Sequence, residues 1–380
     1  MRVEIASAAE DSLLHRFVFC LFALAASVAP VWAQSLEQMA GQMIIVGFQG
    51  DDASDKSVKA VAAEIAAGDL GGVMFLKTNV KSLKAVAAMN AVFRAASPEI
   101  PPFITLDQEG GAVERLTADV GFTELPNART VAAEDSPEQA EALYGKMATA
   151  IARLGFTVNF GPVADLDINP KNQIIAKFGR AFGKDADTVA AYDAAFIRAH
   201  HEAGLLTALK HFPGHGSSTA DSHEGFVDIS KTWSPTELDP YRALIGDGMA
   251  DFVMVGHLFH KDFAGEGSVK LPASLSPEWI DGVLRDELGF RGAVISDDLE
   301  MGAIRDHFSL RDTVVRAVQA GVDVLLFSNT AKYRAGLADE VRGILVAQAE
   351  ADPDFAARIA QSYARIVALK QRIGSFPVPQ

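Results

Sequence analysis

LLTALKHFPG (205–214) and GAVISDDLEM (292–301) decide the fold. Each opens as an uninterrupted apolar run and turns charged only towards its C-terminal end. A strand buried on both faces has no wet side, so it reads as a continuous apolar run rather than an alternating one, the pattern of parallel strands covered by helices. Six other runs share it: MIIVGFQG (43–50), GGVMFLK (71–77), PFITLDQEGG (102–111), FTVNFGPVADLD (156–167), DFVMVGHLFH (251–260) and DVLLFSN (323–329). Between them lie amphipathic, Ala-rich stretches with helical spacing, at 55–67, 79–97, 137–152, 186–203, 236–247, 276–288 and 309–320. Two more, 332–349 and 353–373, close the chain. Eight β-α units predict an α/β fold, a single-domain TIM-type (β/α)8 barrel over 34–380. A doubly wound open sheet is the alternative, because periodicity does not reveal closure.

The position of the polar residues carries the functional reading. Run three ends in Asp107, run four in Asp165 and Asp167, run five in Lys210 and His211, run six in His257 and His260, run seven in Asp297 and Asp298. In a parallel barrel those ends meet at one rim, where such folds place their chemistry. Wet loops explain one or two polar strand ends, but not acids and histidines over five successive strands.

Composition sets the outer bounds. The chain has 380 residues, 49% hydrophobic and 22% charged, with a single Cys. These values exclude disordered, collagen-like and disulfide-scaffold classes. A formal net charge of −15 argues against a nucleic-acid partner, since phosphate binding needs a surplus of Lys and Arg. At the N-terminus, the apolar run FVFCLFALAASVAPVWA follows Arg16 and ends with Val31 and Ala33 at the spacing of a leader cleavage site. Residues 1–33 are therefore expected to be a cleaved signal peptide, with Gln34 as the mature start and a periplasmic or secreted product. The run is too short to span a membrane, so no stable insertion is expected after cleavage.

Three motifs carry chemistry. In Lys210-His211-Phe212-Pro213-Gly214-His215-Gly216, followed by Ser217 to His223, glycine and proline shape a loop rather than a helix. Asp221 and His223 stand two apart, so in a turning loop the carboxylate can reach the Nδ1 side of the imidazole and hold its tautomer. His223 is then usable as a proton donor and acceptor near neutral pH. A helix-capping Asp beside an exposed His is an equal reading from spacing alone. In Ile295-Ser296-Asp297-Asp298-Leu299, Asp297 follows an apolar strand directly and can act as a nucleophile on a sugar carbon or as a metal ligand. Asp298 is expected to take backbone NH groups at a helix start. In Asp107-Gln108-Glu109-Gly110-Gly111, with Arg115 beyond, Asp107 can accept two sugar hydroxyls and Arg115 can donate a fork to another oxygen. Arg180, in Phe178-Gly179-Arg180, has the same reading, although either arginine can equally be a structural ion pair. Histidines 211, 215, 223, 257 and 260 raise zinc, but no H-E-x-x-H or early H-x-H accompanies them, and no dinucleotide or P-loop glycine pattern follows a strand. No metal and no cofactor are expected.

These motifs resemble glycoside hydrolase family 3, in its single-domain β-N-acetylhexosaminidase branch of the NagZ type. KHFPGHGSSTADSH is similar to that family's long K-H-F-P-G-H-G-x-x-x-x-D-S-H loop, ISDDLEM to its nucleophile strand and LDQEGGAVERL to its sugar-binding loop. The likeness spans roughly Leu36 to Leu369. It implies retaining hydrolysis of terminal β-linked N-acetylglucosamine from peptidoglycan fragments or chito-oligosaccharides through a covalent glycosyl-Asp intermediate. It makes Asp297 the nucleophile and His223 the general acid/base with Asp221 as its partner. Asp107, Arg115, Arg180, Lys210 and His211 would hold the sugar. Ala112 departs from the pattern, which commonly has Arg there, so a neighbouring support is expected to be lost. The product is expected to be a monomer acting on carbohydrate. The alternatives are a β-glucosidase or β-xylosidase of the same family, usually built with a second domain that this chain is expected to lack, and a periplasmic sugar-binding protein without catalysis.

Overall fold

The computed structural model describes residues 34–373 apart from 98, 266–268 and 331, and the leader expected over 1–33 lies outside them. All eight apolar runs become parallel strands: β1 Ile44–Gly47, β2 Gly72–Met74, β3 Phe103–Leu106, β4 Val158–Asn159, β5 Leu206–Phe212, β6 Phe252–Val255, β7 Ala293–Ser296 and β8 Leu325–Phe327. Each pairs with its sequence neighbours in turn, and β1 pairs with β8 as well as β2, with Ile45 opposite both Leu326 and Gly72. The remaining seam, β7 to β8, is stitched by the parallel bridge Ile295↔Val324 and by the Ser296 amide, which donates to the Val324 carbonyl at 3.0 Å. The Ser296 hydroxyl then accepts from the Leu326 amide at 3.0 Å, standing in for a backbone acceptor. The sheet is thus a closed barrel, and the open-sheet alternative is ruled out.

The paired segments are shorter than the apolar runs because the polar ends leave the ladder to form the rim. At β2, Gly72 is required by packing: a Cβ there would stand 2.4 Å from the Phe103 carbonyl oxygen of the adjoining strand. Helices fill most of the expected stretches, among them Lys56–Ala67, Pro137–Arg153, Ala186–Glu202 and Leu310–Ala320. The stretch 79–97 starts later than its periodicity suggests, because Ser82 caps the helix Leu83–Ala96 by accepting the Ala85 amide. Short helices at Leu36–Gln42 and Ala128–Glu134 escape a periodicity argument, being two turns or less.

The two ends of the barrel differ in kind. At the N-terminal end, Asp251 and Asp323 collect backbone amides and arginines that tie helices to the strands. There the C-terminal helix Pro353–Ile373 sends Lys370 beneath the strands, donating to Gln42 Oε1 at 2.6 Å and the Gly71 carbonyl at 2.7 Å. Burial pushes its ammonium down to about 7. At the C-terminal end the strands open into a cleft. One extra two-residue ladder, Val227–Asp228 with Leu258–Phe259, pins the far end of the loop that carries Asp221 and His223 to the segment after β6.

Candidate active site

Seven of the eight residues singled out from sequence line one cleft of ≈ 370 Å³ at the barrel mouth: Asp107, Arg115, Arg180, Lys210, His211, His223 and Asp297. Asp221 stands behind His223. Apolar side chains, including Met74, Leu76, Phe160, Met254 and Leu326, make up the rest of the wall. Such a mix of apolar wall and converging polar groups suits a polar ring compound.

On one side lies a buried charge network. Asp107, at the end of β3, accepts Lys210 Nζ at 2.8 Å and Arg115 Nη2 at 2.7 Å. Burial pushes its carboxyl up, but the two cations overcome this and hold it below the usual range. Glu109 accepts Arg180 in a two-pronged bond, Nε and Nη2 both at 2.8 Å, and Lys210 Nζ at 2.6 Å. Against the push of burial, Arg180 and Lys210 keep Glu109 ionised, well below the usual carboxylate range. Both arginines are therefore ion-paired while still facing the cleft, so the two sequence readings of them hold together. The loop after β3 is braced by Gln108, whose Oε1 accepts the Arg115 and Leu116 amides at 3.0 Å each. Ala112 is exposed on the turn that Gly110 and Gly111 make at φ 104° and 62°, and Arg115 keeps its place without an arginine there.

His211 is fixed from behind. Its Nδ1 donates to Asp165 Oδ2 at 2.7 Å, leaving Nε2 turned towards Arg180 Nη2 at 3.4 Å. Asp165 Oδ1 also takes the His215 amide at 2.6 Å, so one buried carboxylate shapes the loop after β5 at two points. Burial pushes the His215 imidazole down to about 4, and its ring is bonded to Ser218 Oγ at 2.6 Å. His257 is buried and bonded on both nitrogens: Nε2 donates to the Asp298 carbonyl at 2.9 Å and Nδ1 accepts from Ser274 Oγ at 2.7 Å.

Asp221 and His223 form the dyad that their spacing allowed. Asp221 Oδ1 accepts both the His223 amide at 2.9 Å and its ring Nδ1 at 2.7 Å. Burial raises the Asp221 carboxyl, but those two bonds and the nearby imidazoles bring it below its ordinary value. The His223 side chain is 62% exposed, so Nε2 is open to a ligand. Asp297, directly after β7, is half-buried in the cleft wall. Burial would raise its carboxyl, yet His257, His211 and His223 bring it down to about 2. The structure thus sets an ionised carboxylate and an accessible imidazole on one cleft.

Other rim residues behave differently. Asp298 binds backbone amides, as expected, but those of Glu300 at 3.1 Å and Ser328 at 2.8 Å; the helix start lies further on, at Gly302. Asp167 is turned outwards to Arg129, and His260 packs among Trp233, Phe263 and Trp279. Sequence reasoning passed over Glu109, Asp165 and Gln108 as functional supports. A glutamate beside two glycines was the one available signal, and its partner Arg180 lies 71 residues away. Among the described residues, no group of three His, Cys, Asp or Glu side chains is spaced to hold a metal ion.

A closed parallel barrel whose polar mouth holds paired cations, an ionised carboxylate and a carboxylate-backed imidazole on one cleft has the makings of a hydrolase. Residues 35–367 match the Glycosyl hydrolase family 3 N terminal domain, and the chain belongs to that family of glycoside hydrolases. It is 35% identical over 298 residues to a beta-hexosaminidase of Stenotrophomonas maltophilia (strain K279a), covering 75% of this chain and 82% of that one. The fold is similar to a family 3 beta-N-acetylglucosaminidase from Paenibacillus sp. str. FPU-7, with TM-score 0.81 and 33% identity. That likeness takes in 90% of this chain and 63% of the Paenibacillus chain. A beta-N-acetylhexosaminidase from Beutenbergia cavernae DSM 12333 superposes with TM-score 0.76 at 30% identity, over 89% of this chain and 99% of the other.

Proposed function

We propose that the chain is a retaining β-N-acetylhexosaminidase that removes terminal β-linked N-acetylglucosamine from peptidoglycan fragments or chito-oligosaccharides. The observation that carries this is the pairing on one cleft of Asp297, held ionised to about 2, with His223, whose Nδ1 is bound by Asp221 at 2.7 Å. The names of the relatives support the choice of sugar over glucose or xylose.

Retaining hydrolysis needs a nucleophile on one side of the glycosidic bond and a proton carrier on the other, usually two carboxyl groups. Here the carrier is an imidazole. With Nδ1–H fixed on Asp221, His223 in its protonated form gives the Nε2 proton to the leaving oxygen. Asp297 attacks the anomeric carbon as the carbon–oxygen bond breaks, forming a glycosyl ester. His223, now neutral, takes a proton from water. The water oxygen bonds to the anomeric carbon, the ester opens, Asp297 is released as carboxylate, and the sugar leaves with its β configuration. Asp107, Arg115, Arg180, Lys210 and His211 hold the terminal ring through its hydroxyl and acetamido oxygens. The same reading has the chain exported by its leader and active as a monomer, so the secreted form begins at Gln34 and elutes at the mass of one chain.

The test is a paired assay with aryl β-N-acetylglucosaminide and aryl β-glucoside, the first-formed anomer read by NMR. Hydrolysis of the N-acetyl substrate with β product, lost by orders of magnitude in Asp297→Ala and His223→Ala, is expected. Near-normal turnover by Asp297→Ala, or binding without turnover by the wild type, overturns the assignment.

A further inference from the structure

The loop that carries the dyad is seated on the segment that follows the nucleophile strand. The Gly302 amide donates to the His223 carbonyl at 3.3 Å, and the Ala303 amide donates to the Ser222 carbonyl at 3.2 Å. These two donors open the short helix Gly302–Arg305. The first amides of a helix have no acceptor within it, so they are available to bind something else, and here two in succession take the backbone of the dyad loop. The approach is close. A Cβ on Gly302 would stand 2.9 Å from the His223 carbonyl oxygen and 3.2 Å from both the Glu224 carbonyl carbon and the Gly225 nitrogen. All three are backbone atoms, so no side chain can rotate out of the way. Gly302 is not among the residues with positive φ, so its own conformation does not call for glycine. The lack of a side chain serves the contact with residues 222–225.

We propose that Gly302 is a positioning residue: together with the Ala303 amide it sets how far the His223 imidazole stands from the glycosidic oxygen. The inference rests on the reading of His223 as acid/base and adds to it a fixed mechanical link. Gly302 follows Asp297 by five positions, so the strand that presents the nucleophile also presents the seat of the proton carrier. Displacing the loop moves His223 while leaving Asp297 and the sugar-holding residues in place.

Loss of acid assistance has a signature that general damage lacks. A poor leaving group needs its oxygen protonated and a very good one does not, so kcat/KM, which reports the first bond-breaking step, falls selectively. The experiment is Gly302→Ala assayed on aryl β-N-acetylglucosaminides spanning a range of leaving-group pKa. The expected result is a fall of about 30-fold or more on the poorest leaving group, part of the roughly 10²–10⁴-fold that acid–base catalysis supplies in full, and a steeper plot of log kcat/KM against leaving-group pKa. An equal fall across the series, or no fall, overturns the seat. His223→Ala in the same series must steepen the plot; if it does not, the acid/base reading itself fails, independently of Gly302. Hydrogen exchange on the wild type provides a check that does not depend on folding of the variant. The Gly302 and Ala303 amides are expected to be protected, and exchange of both at the rate of open solvent overturns the proposal.

Discussion

Replacing Glu109 by Gln tests the part of the site that sequence reading missed. Glu109 is buried, with both carboxylate oxygens on Arg180 at 2.8 Å and Lys210 Nζ at 2.6 Å. Together with Asp107 it balances Arg115, Arg180 and Lys210, two anions against three cations. Glutamine fills the same space but removes one of the two negative charges, and its NH2 group faces a guanidinium that can only donate. Breaking a buried ion pair by removing one partner costs about 3–5 kcal/mol, because the other charge stays buried without compensation. We expect a loss of about 3 kcal/mol in urea unfolding, equivalent to a fall in Tm of roughly 4 °C for a barrel of this size. Arg180 and Lys210 would also lose their aim into the cleft, so kcat/KM on an aryl N-acetylglucosaminide should drop about 100-fold, mostly through KM. The double variant Glu109→Gln/Lys210→Met removes one cation along with the anion, and it should regain much of the stability without regaining activity. A Glu109→Gln enzyme that melts within 1 °C or so of the wild type, with unchanged KM, would refute the argument that this network is both held by Glu109 and used by the sugar.

Three further expectations follow from the same geometry. Asp221→Asn leaves a side chain of equal size but removes the charge behind His223 Nδ1, so kcat should fall about 100-fold with KM little changed and with a displaced pH profile, read by steady-state kinetics. Asp165→Asn frees the Nδ1 side of His211 and loosens the His215 amide, so KM should rise about tenfold or more in the same assay. Burial pushes Glu237 up to about 8, which means the fold favours its protonated form. Its contribution is fully present below about 4.5 and is lost as pH rises towards 8, so the wild type should lose on the order of 5 kcal/mol over that window while Glu237→Gln shows a flatter profile in pH-dependent unfolding.

The barrel was legible because its eight strands are buried on both faces, so GGVMFLK and DVLLFSN announce themselves without any partner in view. The boundaries were not, because a rim residue such as Lys210 continues the strand while Asp107 leaves it, and both are polar. The two-residue ladder between Val227 and Leu258 carries too few side chains to give any period. At the site, residues that face the cleft were readable where they end a strand, as Asp297 does, or stand at a telling spacing, as Asp221 and His223 do. Their supports were not. Asp165 was visible as a rim acid, but nothing local says that it holds His211, 46 residues on. His257 looked equivalent to His260; only packing shows one bonded to the Asp298 carbonyl and the other enclosed by Trp233 and Trp279.

Every chemical step proposed for the cleft depends on Asp297 forming the bond to the sugar. A fluorinated N-acetylglucosaminyl fluoride that forms the ester quickly and releases it slowly, followed by tryptic digestion and mass spectrometry, reads that bond directly. We predict one added glycosyl mass on the peptide from Gly292 to Arg305, with fragment ions placing it on Asp297, and no labelling of Asp297→Ala. A label on Asp298 or elsewhere, or steady turnover with no covalent species at any time, contradicts the account.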